Sequence, residues 1–304
     1  MRRLKIIFII TEICLLAVFL RQSSAQTGES LEASVPLYDP SGENGRADTQ
    51  MIRSYGEFSW KNYTTIAHAL GGMDGYAYLN CPEGFINAYE KGCRLFEVDL
   101  TKTADGIWVC RHSWQDAYGQ WEGERRKKLT LEEFLAAPLY GKYTPMTFQD
   151  LLNLIRDYPD AYILLDTKHY SFRNYQSTLQ DYADLAVLAA DAGAQDILGQ
   201  MIPEIYNEAM LTGIVQIYDF PQYMYSLWKE YSVDELEETA LFCVENDIGA
   251  VTVSREYWTP ELQEIFQEKG MRVFVYTVND LIEAAGLNRI GFDGIVTDVL
   301  FPEG

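Results

Sequence analysis

The sequence predicts an α/β chain folded as a single-domain (β/α)8 barrel, the TIM-barrel architecture. Three observations carry that reading: short, apolar, β-branched runs recur from Thr64 onward, helical patterns separate them, and the runs number eight, the count that closes a parallel sheet on itself. The expected strands are residues 64–70, 95–102, 161–167, 199–205, 214–219, 250–254, 272–278 and 293–297. Helices are expected over 82–91, 147–157, 174–192, 231–246, 260–269 and 280–288. A chain of 304 residues that is 48% hydrophobic can bury such a core. An open doubly wound sheet is the competing architecture, but no Gly-x-Gly-x-x-Gly follows the first strand, which counts against its dinucleotide-binding form.

Ahead of the barrel, Arg2, Arg3 and Lys5 precede an apolar run from Ile6 to Leu20, and Ser23-Ser24-Ala25 offers a small-residue cleavage site. Residues 1–25 therefore read as a secretory signal peptide or a retained N-terminal anchor. The run is about 15 residues long, shorter than the roughly 20 of a spanning helix, and Glu12 interrupts it. Residues 26–60, rich in Ser, Gly, Asp and Glu, read as a linker, and 61–304 as the barrel. The expected location is secreted or extracytoplasmic, with membrane association through the N-terminal segment as one form of it.

The formal net charge is −21, and loss of the leader, with four basic residues and one acidic, makes the chain more acidic still. Such a field repels nucleic acid and anionic surfaces, so no nucleic-acid partner is expected. It also repels phosphates, so phosphate chemistry would need a local cation. The basic run Arg125-Arg126-Lys127-Lys128 reads as a solvated loop. After the leader, Cys81, Cys93, Cys110 and Cys243 show no metal-ligand spacing. Export would permit disulfides among them, and buried free thiols are the alternative.

Side chains alternate along a strand, so Glu97 and Asp99 share a face of the second strand, and Asp166 and Lys168 share one at the end of the third. His68 ends the first strand, just before Gly71-Gly72. Carboxylates facing a barrel core are costly unless paired or coordinated, whereas the carboxyl ends of the strands are where barrel enzymes place their sites. Ala104-Asp105-Gly106 is a turn signal followed by the apolar run Ile107 to Cys110, which reads as a strand returning along the second. With Thr103 opposite Ile107, His112 falls opposite Val98, between Glu97 and Asp99. The next stretch, to Pro145, shows no clear core element and reads as an excursion over the barrel rim.

Three carboxylates without a cysteine suit one hard divalent cation, Ca²⁺ or Mg²⁺. Glu97, Asp99 and Asp166 would hold it, His68 and His112 would supply acid–base chemistry on a phosphodiester, and Lys168 would hold a non-bridging oxygen. Of the aromatic residues that could line a pocket, among them Trp114, Tyr118, Trp121, Tyr218, Tyr223 and Trp258, only Tyr276 is taken as a substrate-site candidate. The third histidine, His169, points off the Asp166–Lys168 face and is assigned no role.

The chain resembles the glycerophosphodiester phosphodiesterase family, within the barrel superfamily that includes phosphatidylinositol-specific phospholipase C. The resemblance rests on Ala67-His68-Ala69-Leu70-Gly71-Gly72, on Gly92 to Asp99, on Thr103 to Gly106, and on Val109-Cys110-Arg111-His112. Leu165-Asp166-Thr167-Lys168, Tyr276-Thr277-Val278-Asn279 and Gly294 to Asp298 match its later strands. The resemblance implies that His68 and His112 form the acid–base pair and that Glu97, Asp99 and Asp166 hold the metal. The chain departs from the family pattern at Ala69, where an arginine is usual, at Ser113, where an aspartate is, and at Asp166, where glutamate is commoner. The implied activity is cleavage of a small-molecule or lipid-derived phosphodiester, through attack by a neighbouring substrate hydroxyl. The competing readings are phospholipase-like lyase cleavage that leaves a cyclic phosphate, and a non-catalytic surface binding module.

Overall fold

The structure, a computed structural model, describes residues 58–114, 127–167 and 175–302. Its strands are β1 (Thr65–Ala67), β2 (Leu95–Lys102), β3 (Trp108–Cys110), β4 (Tyr162–Asp166), β5 (Met201–Ile205), β6 (Met224–Leu227), β7 (Ala250–Ser254), β8 (Arg272–Tyr276) and β9 (Gly294–Thr297). All but β3 run parallel, each beside the next, and β1 pairs with both β9 and β2, which closes the predicted eight-stranded barrel. The helices are α1 (Pro82–Glu90), α2 (Leu131–Leu135), α3 (Phe148–Ile155), α4 (Tyr175–Asp191), α5 (Glu208–Ile217), α6 (Val233–Glu245), α7 (Pro260–Glu268) and α8 (Leu281–Arg289).

Helix α3 shows how the local sequence sets these elements. Thr147 caps it by accepting from the Asp150 amide at 3.0 Å, and the Asp150 carboxylate accepts from the Thr147 amide at 3.0 Å. Phe148, Leu151, Leu152 and Ile155, at the one-face spacing of a helix, are then buried against the outside of the barrel.

The barrel interior is layered, and the layering follows from the two-residue repeat of a strand. Ile66, Leu95, Leu164, Ile202, Met224, Ala250, Phe274 and Val296 fill its amino-terminal half together with Trp60. The Trp60 indole donates to Gln222 Oε1 at 3.1 Å, and Gly249 makes room for it: a β-carbon there would stand 2.6 Å from the ring. Two positions further along each strand come His68, Glu97, Asp166, Glu204, Ser226, Thr252, Tyr276 and Asp298. An apolar plug thus carries a polar layer at the carboxyl ends, where inward-facing polar groups are reached by water or ligand rather than sealed in.

Three expectations need correction. Residues 214–219 are not a strand: Asn207 caps α5 by accepting from the Met210 amide at 3.0 Å, and Leu211 and Ile214 are buried on one helical face. The apolar run around Ile214 fits either period, and the cap decides it. The strand lies instead at Met224–Leu227, a four-residue run whose centre, Ser226, is polar because it faces the pocket. The first strand stops at Ala67 rather than at residue 70, because Ala69 (φ 48°) and Leu70 (φ 61°) turn the chain through the left-handed region. The excursion before Pro145 does hold core: Leu129 and the fully buried Phe134 of α2 pack on Val109.

Cys81, Cys93, Cys110 and Cys243 are all buried free thiols. Burial pushes Cys81 and Cys243 up to about 12 and Cys93 up to about 11, away from the reactive thiolate.

Candidate active site

A cavity of about 300 Å³ opens at the carboxyl ends of the strands. His68, Glu97, His112, Asp166 and Tyr276 line it, together with Tyr78, Glu204, Tyr206 and Trp228. Of the residues singled out in the sequence, Asp99 is buried beside Asp166 without lining the cavity, and Lys168 and His169 lie outside the described residues.

The acidic pair is placed by β2 and its neighbour. Glu97 and Asp99 pair in register with Leu164 and Asp166 of β4, so the two aspartates are adjacent across the sheet. One oxygen from each of Glu97, Asp99 and Asp166 lies within 4.8 Å of the others, and all three residues are buried. Neighbours fix each carboxylate. The Ala69 amide donates to Glu97 Oε2 at 2.7 Å, aimed there by the turn that follows His68. Asn80 donates to Asp99 Oδ2 at 2.8 Å and accepts from the Asp99 amide at 3.0 Å. The Tyr206 hydroxyl donates to Asp166 Oδ1 at 2.5 Å. An all-oxygen set of this spacing could hold a hard cation such as Ca²⁺ or Mg²⁺, which would offset the repulsion of three like charges in so small a volume.

His68 is held from behind. Its Nδ1 lies 2.8 Å from Asp298 Oδ1, and a carboxylate accepts only, so Nδ1 carries the hydrogen and Nε2 faces the pocket, 4.0 Å from Glu97 Oε2. Asp298 is fixed in turn: Asn279 Nδ2 donates to its Oδ2 at 2.6 Å, and its amide donates to Asn279 Oδ1 at 2.8 Å. Its carbonyl accepts from the Gly72 amide at 2.6 Å, and a β-carbon on Gly72 would stand 2.8 Å from that oxygen.

His112 arrives by the predicted hairpin. Leu100 pairs with Cys110, Thr101 with Val109 and Lys102 with Trp108, and the Thr103 amide donates to the Ile107 carbonyl at 2.8 Å. The Arg111 amide continues the ladder to the Asp99 carbonyl at 2.9 Å, which sets His112 beside the acidic pair. The buried Arg111 side chain donates to the Ser113 carbonyl at 2.7 Å and lies over the Trp114 ring. Tyr78 stands between the two histidines, edge-on to both, with ring centroids 4.6 Å from His68 and 5.4 Å from His112.

Sequence reasoning missed Asp298 as the partner of His68, and it missed Tyr78, Tyr206, Trp228 and Glu204. Glu204, buried and accepting from Thr252 Oγ1 at 2.9 Å, carried a usable signal, since it stands two residues after the interior Ile202. Tyr78, with φ 55° in an irregular loop, had none. Among the aromatic residues named from sequence and described here, only Tyr276 lines the pocket; Tyr218, Tyr223 and Trp258 pack with the outer core.

The sequence profile of the glycerophosphoryl diester phosphodiesterase family matches residues 72–300. No curated protein matches the chain. Among solved structures, a phosphodiesterase of Oleispira antarctica in complex with the product sn-glycerol-3-phosphate is similar, with a TM-score of 0.61, 18% identity, and 78% of this chain and 93% of that one covered. A glycerophosphodiester phosphodiesterase of Parabacteroides distasonis has a TM-score of 0.58 and 19% identity, over 77% of this chain and 92% of that one. One from Thermotoga maritima has a TM-score of 0.53 and 23% identity, over 77% and 94%. At these identities the neighbours establish the barrel fold.

Proposed function

The chain belongs to the glycerophosphoryl diester phosphodiesterase family and is a phosphoric diester hydrolase; from that premise we propose that it splits glycerophosphodiesters by histidine acid–base catalysis. The observation that carries the mechanism is the meeting of His68 and His112 in one pocket with buried carboxylates at its floor. The product held by the Oleispira neighbour, sn-glycerol-3-phosphate, supports a glycerol phosphate as the retained half.

In this reading Glu97, Asp99 and Asp166 hold one divalent cation, Ca²⁺ or Mg²⁺. When bound, it supplies positive charge opposite the phosphoryl oxygens. Lys168 is proposed to hold a non-bridging oxygen, and Tyr276 to wall the substrate. One histidine takes the proton of the substrate hydroxyl next to the phosphate, and that oxygen bonds to phosphorus. The phosphorus–oxygen bond to the leaving alcohol breaks as the other histidine protonates that oxygen. Water then opens the cyclic ester with the two roles exchanged, so protons balance over the cycle. Asp298 keeps His68 in the tautomer that presents Nε2.

The test is an analogue that lacks the neighbouring hydroxyl. It should react at least about 10²-fold more slowly than its parent, because intramolecular attack gains from high effective molarity. Equal rates would show that water is the nucleophile and would remove the cyclic intermediate.

The leader motivates a second proposal, that the chain works outside the cytoplasm, cleaved or tethered. Its apolar run lies outside the described residues, among which no helix is long and apolar enough to cross a membrane. N-terminal sequencing of protein from cell fractions should find it exported, either processed near Ala25 or intact in the membrane. A full-length soluble chain in the cytosol overturns both forms.

A further inference from the structure

Among the described residues, the most exposed large hydrophobic side chains are adjacent: Leu281 at 73% and Ile282 at 82%. They open α8 directly after Asn279 and Asp280, at the carboxyl end of β8, and Asn279 holds the Asp298 that holds His68. The first turn of a surface helix is ordinarily polar, and two bare aliphatic side chains there have no packing reason. They also have company. Trp228 follows β6 and lines the pocket while 38% exposed, Tyr257 follows β7 at 37%, and Val299 follows β9 at 43%. In barrel order β6, β7, β8 and β9 are successive neighbours, so these side chains occupy one arc of the rim on the pocket's own face.

We propose that this arc seats the enzyme on a zwitterionic lipid surface and admits a single-chain glycerophosphodiester, its acyl chain lying over Leu281 and Ile282 and its phosphate in the pocket. The proposal rests on the phosphodiesterase reading above and names the substrate class for that site. Three observations favour lipid over a protein partner. The arc borders the pocket mouth, so a second copy seated on it would block entry, whereas a lipid is itself the substrate. Its five exposed apolar side chains, spread behind four strands, fall well short of the roughly 20–30 residues that each partner brings to a stable protein interface. The formal charge of −21 repels an anionic surface and so favours a zwitterionic one. The chemistry narrows the lipid further. A free hydroxyl must stand beside the phosphate, which a one-chain lysophospholipid has and a zwitterionic diacyl lipid such as phosphatidylcholine lacks.

The experiment compares the protein as recovered from cells with Leu281→Ser/Ile282→Ser and with the apolar exchange Leu281→Ile/Ile282→Leu. Rates are read on soluble glycerophosphocholine and on 1-acyl lysophosphatidylcholine across its critical micelle concentration. We expect the wild-type rate on the lipid to rise about tenfold above that concentration. The serine variant should lose the rise, the apolar exchange should keep it, and all three should match on glycerophosphocholine within twofold. A wild type with no rise, a serine variant that keeps it, or a wild-type dimer that the serine variant abolishes by light scattering would overturn the proposal. If neither substrate is cleaved, the phosphodiesterase reading fails, and cosedimentation with phosphatidylcholine vesicles still reads the surface. Binding that the serine variant lacks then supports the lipid seat, and equal binding overturns it.

Discussion

Alanine in place of His112 or of His68 is expected to lower kcat by roughly 10²–10⁴-fold, the usual contribution of a positioned acid or base. Both histidines face the same cavity, but they reach it by different routes, and the routes predict different secondary effects. His112 stands at the end of the return strand and is not one of the three carboxylates proposed to hold the metal, so His112→Ala should retain most of the metal content. His68 lies 4.0 Å from Glu97, so His68→Ala should retain the metal while altering its affinity modestly. Asp298→Asn is the graded case. The amide can present its nitrogen where the carboxylate presented an acceptor, which removes the preference for the Nδ1–H tautomer. A loss of roughly 10–100-fold with little change in KM is expected, in line with the outer partners of functional histidines. Steady-state kinetics with metal analysis on each variant checks the series. Near-wild-type turnover in either alanine variant would remove that histidine from the mechanism.

Much of this site was readable in the chain because its geometry is local. Glu97 and Asp99 share a face by strand alternation, and the turn at Ala104 to Gly106 fixed where His112 lands by counting alone. The barrel was readable because its strands are short, largely apolar and mostly buried on both faces, with helical patterns between them. Where the pocket intrudes, that signal fails. Ser226 breaks the apolar run of Met224–Leu227, and the more apolar stretch of α5 carries the stronger strand-like pattern. The partner of His68 was not readable for another reason. Asp298 stands 230 residues further along, and only barrel closure between β1 and β9 brings the two together. Yet the rule that finds it is simple in hindsight: each strand with an apolar plug residue places a polar one two positions on. Applied from Val296, that rule reaches Asp298; applied from Ile202, it reaches Glu204.

Removal of divalent metal by chelation is expected to abolish activity and to lower the melting temperature by several degrees. Three buried carboxylates with oxygens within 4.8 Å of one another repel strongly when ionised, and the hydrogen bonds from Ala69, Asn80 and Tyr206 each meet only part of that charge. An ion bound only by the folded state adds stability by mass action, about 2.7 kcal/mol at a hundredfold excess over its dissociation constant. For a domain of this size, 1 kcal/mol moves the melting temperature by roughly 2–4 °C, so a shift on the order of 5–10 °C should appear on chelation and reverse on adding Ca²⁺ or Mg²⁺. Neutral replacements should cross over. Glu97→Gln and Asp166→Asn each remove one charge from the cluster, which weakens metal binding and also relieves repulsion in the metal-free protein. With metal present they should melt below wild type and show little activity; with chelator present they should melt at or above it. A purely structural hydrogen-bond role for these acids predicts destabilisation in both conditions. Thermal melts of the three proteins with and without chelator, beside elemental analysis of the purified chain, separate the two cases. An active enzyme indifferent to chelator and free of bound metal would end the case for a cation at this site.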